Sequence, residues 1–227
     1  MNGETKISII GKLESTPYVD MTRLALSAFS VNTDNCTIHG SFPFRSPAQL
    51  YVEGDWSNAA FFLTAKAIGN HVCVRGLNPD SPQGDRAVAD ILQQLQEFRT
   101  VNAADIPDLV PILSVAAAAN KGCIFTNIQR LRLKESDRVA SVINMLRALG
   151  IDAEATETTL TVHNGHFTGG TIDSVNDHRI AMAAAIAATA SSKPITITNA
   201  HCVEKSYPSF WNEYARLGGK YEQYIRK

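Results

Sequence analysis

Apolar positions along this chain fall into a rhythm that repeats. Val139, Val142, Ile143, Leu146 and Leu149 recur at three- and four-residue steps and Gly150 follows, which predicts an amphipathic helix with a glycine stop. The same pattern returns in "GDRAVADILQQLQ", with core positions Val88, Ile91, Leu92 and Leu95, and in "YPSFWNEYARLGG", with Phe210, Trp211, Tyr214 and Leu217. Ahead of each stands an Ala-rich helix: "GDWSNAAFFLTAKAIG", "DIPDLVPILSVAAAAN" and "NDHRIAMAAAIAATAS". Their start signals are Asp55 and Ser57, Asp105 with Pro107, and Asn176 with Asp177. The short runs "HVCVRG", "CIFTNI" and "ITITNA" between the two helices predict strands, and a β-hairpin is expected to close each unit. It is clearest in "IDAEATETTLTVHNGHFTGGTID", where "TLTVH" alternates and glycines mark the turns. Three copies of one strand–helix unit in the same order predict an α/β (α+β) repeat architecture.

Two places break the rhythm. "TKISIIGKLESTPYVDMTRLALSAF" reads as a strand–loop–helix half-unit, followed by a hairpin in "NCTIHGSF…AQLYVEG". Residues 1–46 therefore look like one unit of a neighbouring domain and 47–227 like a second domain, with the crossover near "FRSPAQLYVEGD", where Pro47 interrupts the pattern. Such a first unit leaves apolar surface uncovered, a surface on which self-association is plausible. The other break lies between "QQLQEF" and "DIPDLVP", where only "RTVNAA" stands and the expected hairpin is missing. Either the unit was shortened or a stretch has dropped out of the chain. The second is the expectation, and it predicts a Cα–Cα step far longer than a normal peptide step within Glu97–Ala103.

Composition narrows the function classes. With 44% hydrophobic and 19% charged residues and a net charge of −1, nothing favours nucleic acid or an acidic membrane surface. The apolar runs near 109–119 and 179–190 are too short to span a bilayer, and "MNGETKISIIGK" lacks the features of a signal peptide. Cys36, Cys73, Cys123 and Cys202 are scattered, which reads as reduced, mostly buried thiols of a cytoplasmic chain without a zinc site. His163 and His166 fall in the hairpin region and are expected to be exposed.

Charge placement within the repeats is more informative. Lys134 and Arg138 stand at one helix start, Arg179 at another and Lys205 just before a third, although a helix N-terminus already favours an anion. The acids Asp108, Glu135 and Asp177 join them. Each has a plain reading as well: Asp108 as a first-turn acid, Asp177 as a cap, Glu135 as a loop acid, Lys205 as a surface lysine, and Arg138 as one half of a surface ion pair. Their recurrence at equivalent points favours a bound phosphate or carboxylate between the cations.

"LRLKESDR", "NDHRIAMA", "DIPDLVPIL", "VEKSYPSFW" and "ESTPYVDMT" together resemble the 5-enolpyruvylshikimate-3-phosphate synthase family over nearly the whole chain. The resemblance implies the enolpyruvyl transferase fold, an inside-out α/β barrel of βαβαββ units in pseudo-threefold arrangement. This chain would be the last unit of the N-terminal domain plus most of the C-terminal one. It implies transfer of the enolpyruvyl group of phosphoenolpyruvate to the 5-hydroxyl of shikimate 3-phosphate, with release of phosphate and no cofactor or metal. Asp108 would take the hydroxyl proton, Glu135 would handle the proton at the methylene carbon, and Lys134 would touch both substrates. Arg138, Arg179 and Lys205, with Lys134, would hold phosphoenolpyruvate. Ser15 and Tyr18, with Asp108 and Lys134, would contact shikimate 3-phosphate.

The chain departs from the family pattern in lacking its N-terminal substrate motifs. Arg130 also stands where some members have asparagine. The isolated chain is therefore expected to have little or no activity without the missing N-terminal half. Two other readings stay open: the sister transferase acting on UDP-N-acetylglucosamine, and a non-catalytic anion-binding relic.

Overall fold

The structure is a computed structural model that describes residues 3–11, 13, 15–34, 36–40 and 44–224. Glu14 of "ESTPY" and parts of the expected first hairpin, Asn35 and residues 41–43, lie outside the described residues. Strand β1 (Glu4–Lys6), helix α1 (Thr16–Ala28), β2 (Thr33–Asp34) and β3 (Thr37–His39) form a small unit with its own antiparallel sheet, ordered β1-β3-β2. This corrects the expected hairpin: β3 pairs with β1 and β2, and residues 48–54 contain no strand. Pro17 sits in the first turn of α1, where its missing N–H costs nothing. No residue of α1 is buried, and Ile7, Ile9, Ile10, Leu24 and Phe44 are exposed, so the uncovered apolar surface is present as expected.

Three buried helices carry the rest of the molecule. Helix α2 (Trp56–Ala67) is capped by Asp55, which accepts from the backbone N–H of Ser57 and Asn58. It is followed by a 3-10 turn (Gly84–Ala87) that runs into α3 (Val88–Gln94), and then by β4 (Arg99–Asn102) and α4 (Val110–Ala119). Next come β5 (Cys123–Thr126), a 3-10 turn (Gln129–Leu133), α5 (Arg138–Ala148), and the hairpin β6 (Ala153–Ala155) and β7 (Thr159–Val162). The last repeat contains β8 (Gly170–Asp173), α6 (His178–Ala188), β9 (Ile195–Thr198), a 3-10 turn (Ala200–Lys205) and α7 (Phe210–Arg216). Helices α2, α4 and α6 pack against one another at the centre, and every residue of α4 from Val110 to Ala118 is buried. A helix apolar all round belongs in a core, and the alanine side chains let the three axes approach. Asp177 caps α6 as the sequence predicts, accepting from the N–H of Arg179, and Asp137, not among the expected start signals, caps α5 by accepting from the N–H of Ala140.

Four expectations need correction. Helix α4 starts at Val110, not near Asp105; Leu109 is its N-cap, so Asp108 lies before the helix rather than in its first turn. "HVCVRG" forms no strand. Among the described residues only the middle unit of 47–224 has its closing hairpin, in a sheet ordered β4-β5-β7-β6 with β4 parallel to β5 and the other pairs antiparallel. Finally, there is no interruption at Glu97–Ala103. The N–H of Glu97 bonds the carbonyl of Gln94, β4 pairs with β5 at all four positions, and Ala103 N–H continues the ladder to Thr126 at 2.9 Å.

Beneath the strands, α5 approaches β8 so closely that Gly170, at φ 153°, leaves no room for a side chain. A Cβ there would stand 2.2 Å from the Ala148 carbonyl oxygen, which is backbone and cannot rotate away. Gly170→Ala should therefore lower the stability of the chain by roughly 1–3 kcal/mol in urea unfolding. An unchanged midpoint would show that α5 and β8 are free to move apart.

Candidate active site

The ends of the central helices bring charged side chains into one network. Arg138, the first residue of α5, is fully buried and its guanidinium is divided among three carboxylates. Its Nε donates to Asp177 Oδ2 at 2.9 Å, Nη1 to Asp108 Oδ1 at 2.7 Å, and Nη2 to Glu135 Oε2. Asp108 is the second hub. Its Oδ2 accepts from Arg179 Nη2 at 2.9 Å and from the Tyr18 hydroxyl at 3.1 Å, while Lys134 Nζ lies 3.3 Å from Oδ1. Ser136 Oγ donates to Asp177 at 3.0 Å. Three cations, Lys134, Arg138 and Arg179, thus face three acids, Asp108, Glu135 and Asp177. The cations at the helix ends are neutralised within the protein, chiefly by residues from other segments, because a buried charge without partners is far costlier than the dipole conflict.

Of the residues singled out in the sequence, Asp108, Lys134, Glu135, Arg138, Arg179 and Tyr18 meet in this network. Lys205 stands to one side: it is exposed and its Nζ donates to the Asn176 carbonyl at 2.8 Å, next to the Asp177 cap. Ser15 is nearly buried, in the left-handed region at φ 56°, and accepts from Arg130 Nη1 at 2.8 Å. Together with Tyr18–Asp108 and a bond from Thr16 N–H to Asp105, this contact seats the first unit against the rest of the molecule.

Asp85 is the member that sequence reading missed. It is 5% exposed, accepts from Ser57 Oγ, and through that hydroxyl reaches Arg179 Nη1 at 2.9 Å. The available signal was its "DR" dipeptide, repeated as Asp137–Arg138 one unit later. The two copies are inverted: Asp85 is buried and Arg86 exposed, whereas Asp137 is exposed and Arg138 buried. Among the described residues, Thr64 Oγ1, Asp85 Oδ1, His178 Nδ1 and Arg179 Nε are buried without a hydrogen-bond partner.

Titration follows from this geometry. Burial raises Asp108, but Arg179, Arg138 and Lys134 outweigh it and hold the carboxyl well below the usual range. Asp85 has no such set of cations and is pushed up by burial. The Tyr18 phenol is also raised, by burial and by Asp85 and Asp108, so it stays a hydrogen-bond donor. His178 is lowered, by burial and then by Arg179, which keeps its imidazole neutral.

Two cavities of about 450 and 380 Å³ lie along α3 and β4, and no member of the charged network lines either. Among the described residues, no helix is long and apolar enough to cross a membrane, and no group of three or more His, Cys, Asp or Glu is placed to hold a metal ion.

The fold is that of the enolpyruvyl transferases. The EPSP synthase of Acinetobacter baumannii superposes on 96% of this chain and 57% of its own, with a TM-score of 0.80 and 27% identity. The enolpyruvyl transferase NikO of Streptomyces tendae shares the fold at a TM-score of 0.67 and 19% identity, over 96% of this chain and 56% of its own. A sequence profile of EPSP synthase (3-phosphoshikimate 1-carboxyvinyltransferase) matches residues 1–214, and the chain belongs to that family. The 3-phosphoshikimate 1-carboxyvinyltransferase of Clostridium novyi (strain NT) is 37% identical over 244 residues, 96% of this chain and 56% of that protein. The Clostridium acetobutylicum enzyme of the same name is also 37% identical, over 240 residues. The chain thus spans little more than half the length of these relatives. An alignment of 244 residues on a chain of 227 also means that the relative has internal residues this chain lacks.

Two outcomes follow. Asp177→Ala removes a partner of a fully buried guanidinium and should cost about 3–5 kcal/mol in urea unfolding; a loss below about 1 kcal/mol would show that Arg138 is satisfied without it. Because Asp108 is depressed in the fold, its contribution to stability is complete above its ordinary value of 3.8 and is lost as pH falls through its lower folded value. Asp108→Asn should accordingly flatten the decline in stability as pH falls from 3.8 toward that lower value, measured by acid titration of unfolding.

Proposed function

We propose that this chain is the larger part of an enzyme that transfers the enolpyruvyl group of phosphoenolpyruvate to the 5-hydroxyl of shikimate 3-phosphate. On this reading residues 1–46 belong to an N-terminal domain, residues 47–227 form the C-terminal domain, and the rest of the enzyme closes the open wall of the site. The observation that supports it most is Asp108, a carboxylate gripped by Arg138, Arg179, Lys134 and Tyr18.

The chemistry matches those groups. Phosphoenolpyruvate has both a carboxylate and a phosphate, which planar guanidinium groups bind in bidentate fashion. Arg138 and Arg179 would supply that grip, Lys134 a shared point charge, and Lys205 a further cation at the rim. Such an anion competes with Glu135 for Arg138 and with Asp108 for Arg179. As it takes up the charge of the two guanidiniums, Asp108 loses the attraction that depresses it and rises toward a useful base for the 5-hydroxyl proton. Glu135, displaced from Arg138 and 42% exposed, becomes free to exchange a proton with the methylene carbon. Ser15 and Tyr18 approach from the first unit, where they would contact shikimate 3-phosphate.

The test is complementation. The part of the Clostridium novyi relative that this chain does not match, produced as a separate polypeptide, is mixed with the chain, and phosphate release from the two substrates is followed. The chain alone should show no turnover and the mixture should show it. Within the mixture, Glu135→Gln should lower the rate by roughly 10²–10⁴. Near-normal turnover by that variant would remove Glu135 from the proton transfer. Phosphoenolpyruvate binding that never leads to turnover would instead make the chain an anion-binding relic.

A further inference from the structure

Each of the two arginines assigned to the substrate anion has one partner that must yield and one that can stay. For Arg138 the yielding carboxylate is Glu135 and the retained one is Asp177. For Arg179 the yielding carboxylate is Asp108, which accepts from Nη2 at 2.9 Å. When Asp108 lets go, the other terminal nitrogen still anchors the guanidinium. Nη1 donates to Ser57 Oγ at 2.9 Å, and at the longer distance of 3.4 Å to the Asp108 carbonyl. The Ser57 hydroxyl has a single proton, which it donates to Asp85 Oδ2. Its lone pairs are therefore turned toward the guanidinium, and the route from Arg179 through Ser57 to Asp85 runs in one direction.

The frame around this route is itself built from side chains. Gln83 Nε2 donates to the Gly54 carbonyl at 2.9 Å and its Oε1 accepts from the Trp56 N–H at 2.9 Å, which ties the loop just before Asp85 to the segment that carries Ser57. Glu53 accepts from Ser81, Gln83 and Asn78 and clamps the rest of that loop. Gly84 lets the turn lie against its neighbours: a Cβ there would stand 2.9 Å from both the Asp105 carbonyl oxygen and Pro17 Cγ. Asp85 itself is 5% exposed, and its Oδ1 is buried without a hydrogen-bond partner among the described residues. A buried carboxyl whose direct partner is a single hydroxyl lowers stability, which sets Asp85 apart from the acids paired with cations.

We propose that Asp85 is a positioning residue: through Ser57 it fixes the Arg179 guanidinium in the orientation that receives the phosphoenolpyruvate anion once Asp108 has yielded. The proposal rests on the function proposed above and adds the acid, outside the groups assigned to substrate, that governs anion affinity. Two effects of Asp85 oppose each other. Its charge repels an incoming anion, while its acceptor oxygen holds the arginine that attracts one. The proposal requires the second to win, and substitution separates the two.

The test uses the mixture of the chain with the unmatched portion of the Clostridium novyi relative. Asp85→Ala should raise KM for phosphoenolpyruvate about tenfold, while kcat and KM for shikimate 3-phosphate stay within about threefold. Asp85→Asn removes the charge but keeps an acceptor for Ser57, so its KM should stay at or below that of the unaltered chain. Ser57→Ala cuts the same route from a half-buried position and should reproduce the rise, which keeps the test open where Asp85→Ala fails to fold. A merely structural acid gives another pattern: fewer active molecules lower the apparent kcat and leave both KM values alone, and that result would overturn the proposal. Equal rises in KM for Asp85→Ala and Asp85→Asn would overturn it as well. Guanidinium NMR of the 227-residue chain supplies a readout apart from turnover. Rotation of the Arg179 guanidinium about its Nε–Cζ bond should speed about tenfold in Asp85→Ala, with Arg138 as the unchanged internal reference. No change at Arg179 sinks the proposal whatever the mixture does. A freed Arg179 beside a mixture that never turns over counts against the proposed function instead and leaves the positioning of Arg179 by Asp85 standing.

Discussion

A guanidinium with no exposure to solvent, that of Arg138, stands at the junction of three segments, and burying such a charge costs several kcal/mol unless it is fully paired. Its partners come from before α4 (Asp108), from the link into α5 (Glu135) and from the cap of α6 (Asp177). No two of these carboxylates can shift without exposing part of the charge to an apolar surrounding. Arg138 therefore sets how the starts of α4, α5 and α6 sit relative to one another, and through them the positions of Arg179, Lys134 and Tyr18 around Asp108.

On the proposed function, the same arrangement lets a charge-balanced cluster serve an anionic substrate. The ion pairs hold cations in place that would otherwise repel one another, and the more exposed acid, Glu135, is the one an incoming anion displaces most easily. Its departure costs least because water can solvate it. Asp177, fully buried and engaged by Ser136, Arg138 and the Arg179 backbone, stays behind as scaffold. On the proposed function, this difference in exposure separates Glu135, which yields to a substrate anion, from Asp177, which does not.

Repetition supplies the frame for this site without making its copies equivalent. The "DR" pair opens the second helix in two successive units, yet Asp85 is buried and linked to Arg179 through Ser57, while in the next unit the arginine is the buried member. Only one of the three units is completed by a hairpin among the described residues. The others leave a bare edge at β9 and no strand at residues 48–54 and 71–77. A unit that cannot bury its own faces depends on its neighbours.

Helical periodicity located α2, α3, α5, α6 and α7, and the caps Asp55 and Asp177 were legible because capping is a local bond between a side chain and backbone two or three residues away. The cations and acids of the site were legible as types at recurring positions. What depends on distant partners was not. The pairing of β3, the late start of α4, the burial of Asp85 and the continuous β4 all follow from contacts between segments tens of residues apart. Local pattern alone placed Arg138 at a positive helix end and suggested that a ligand must relieve the conflict. Tertiary structure decided that Asp108, Glu135 and Asp177 already do so, because a buried guanidinium needs counter-charges within hydrogen-bond reach and only folding brings them there.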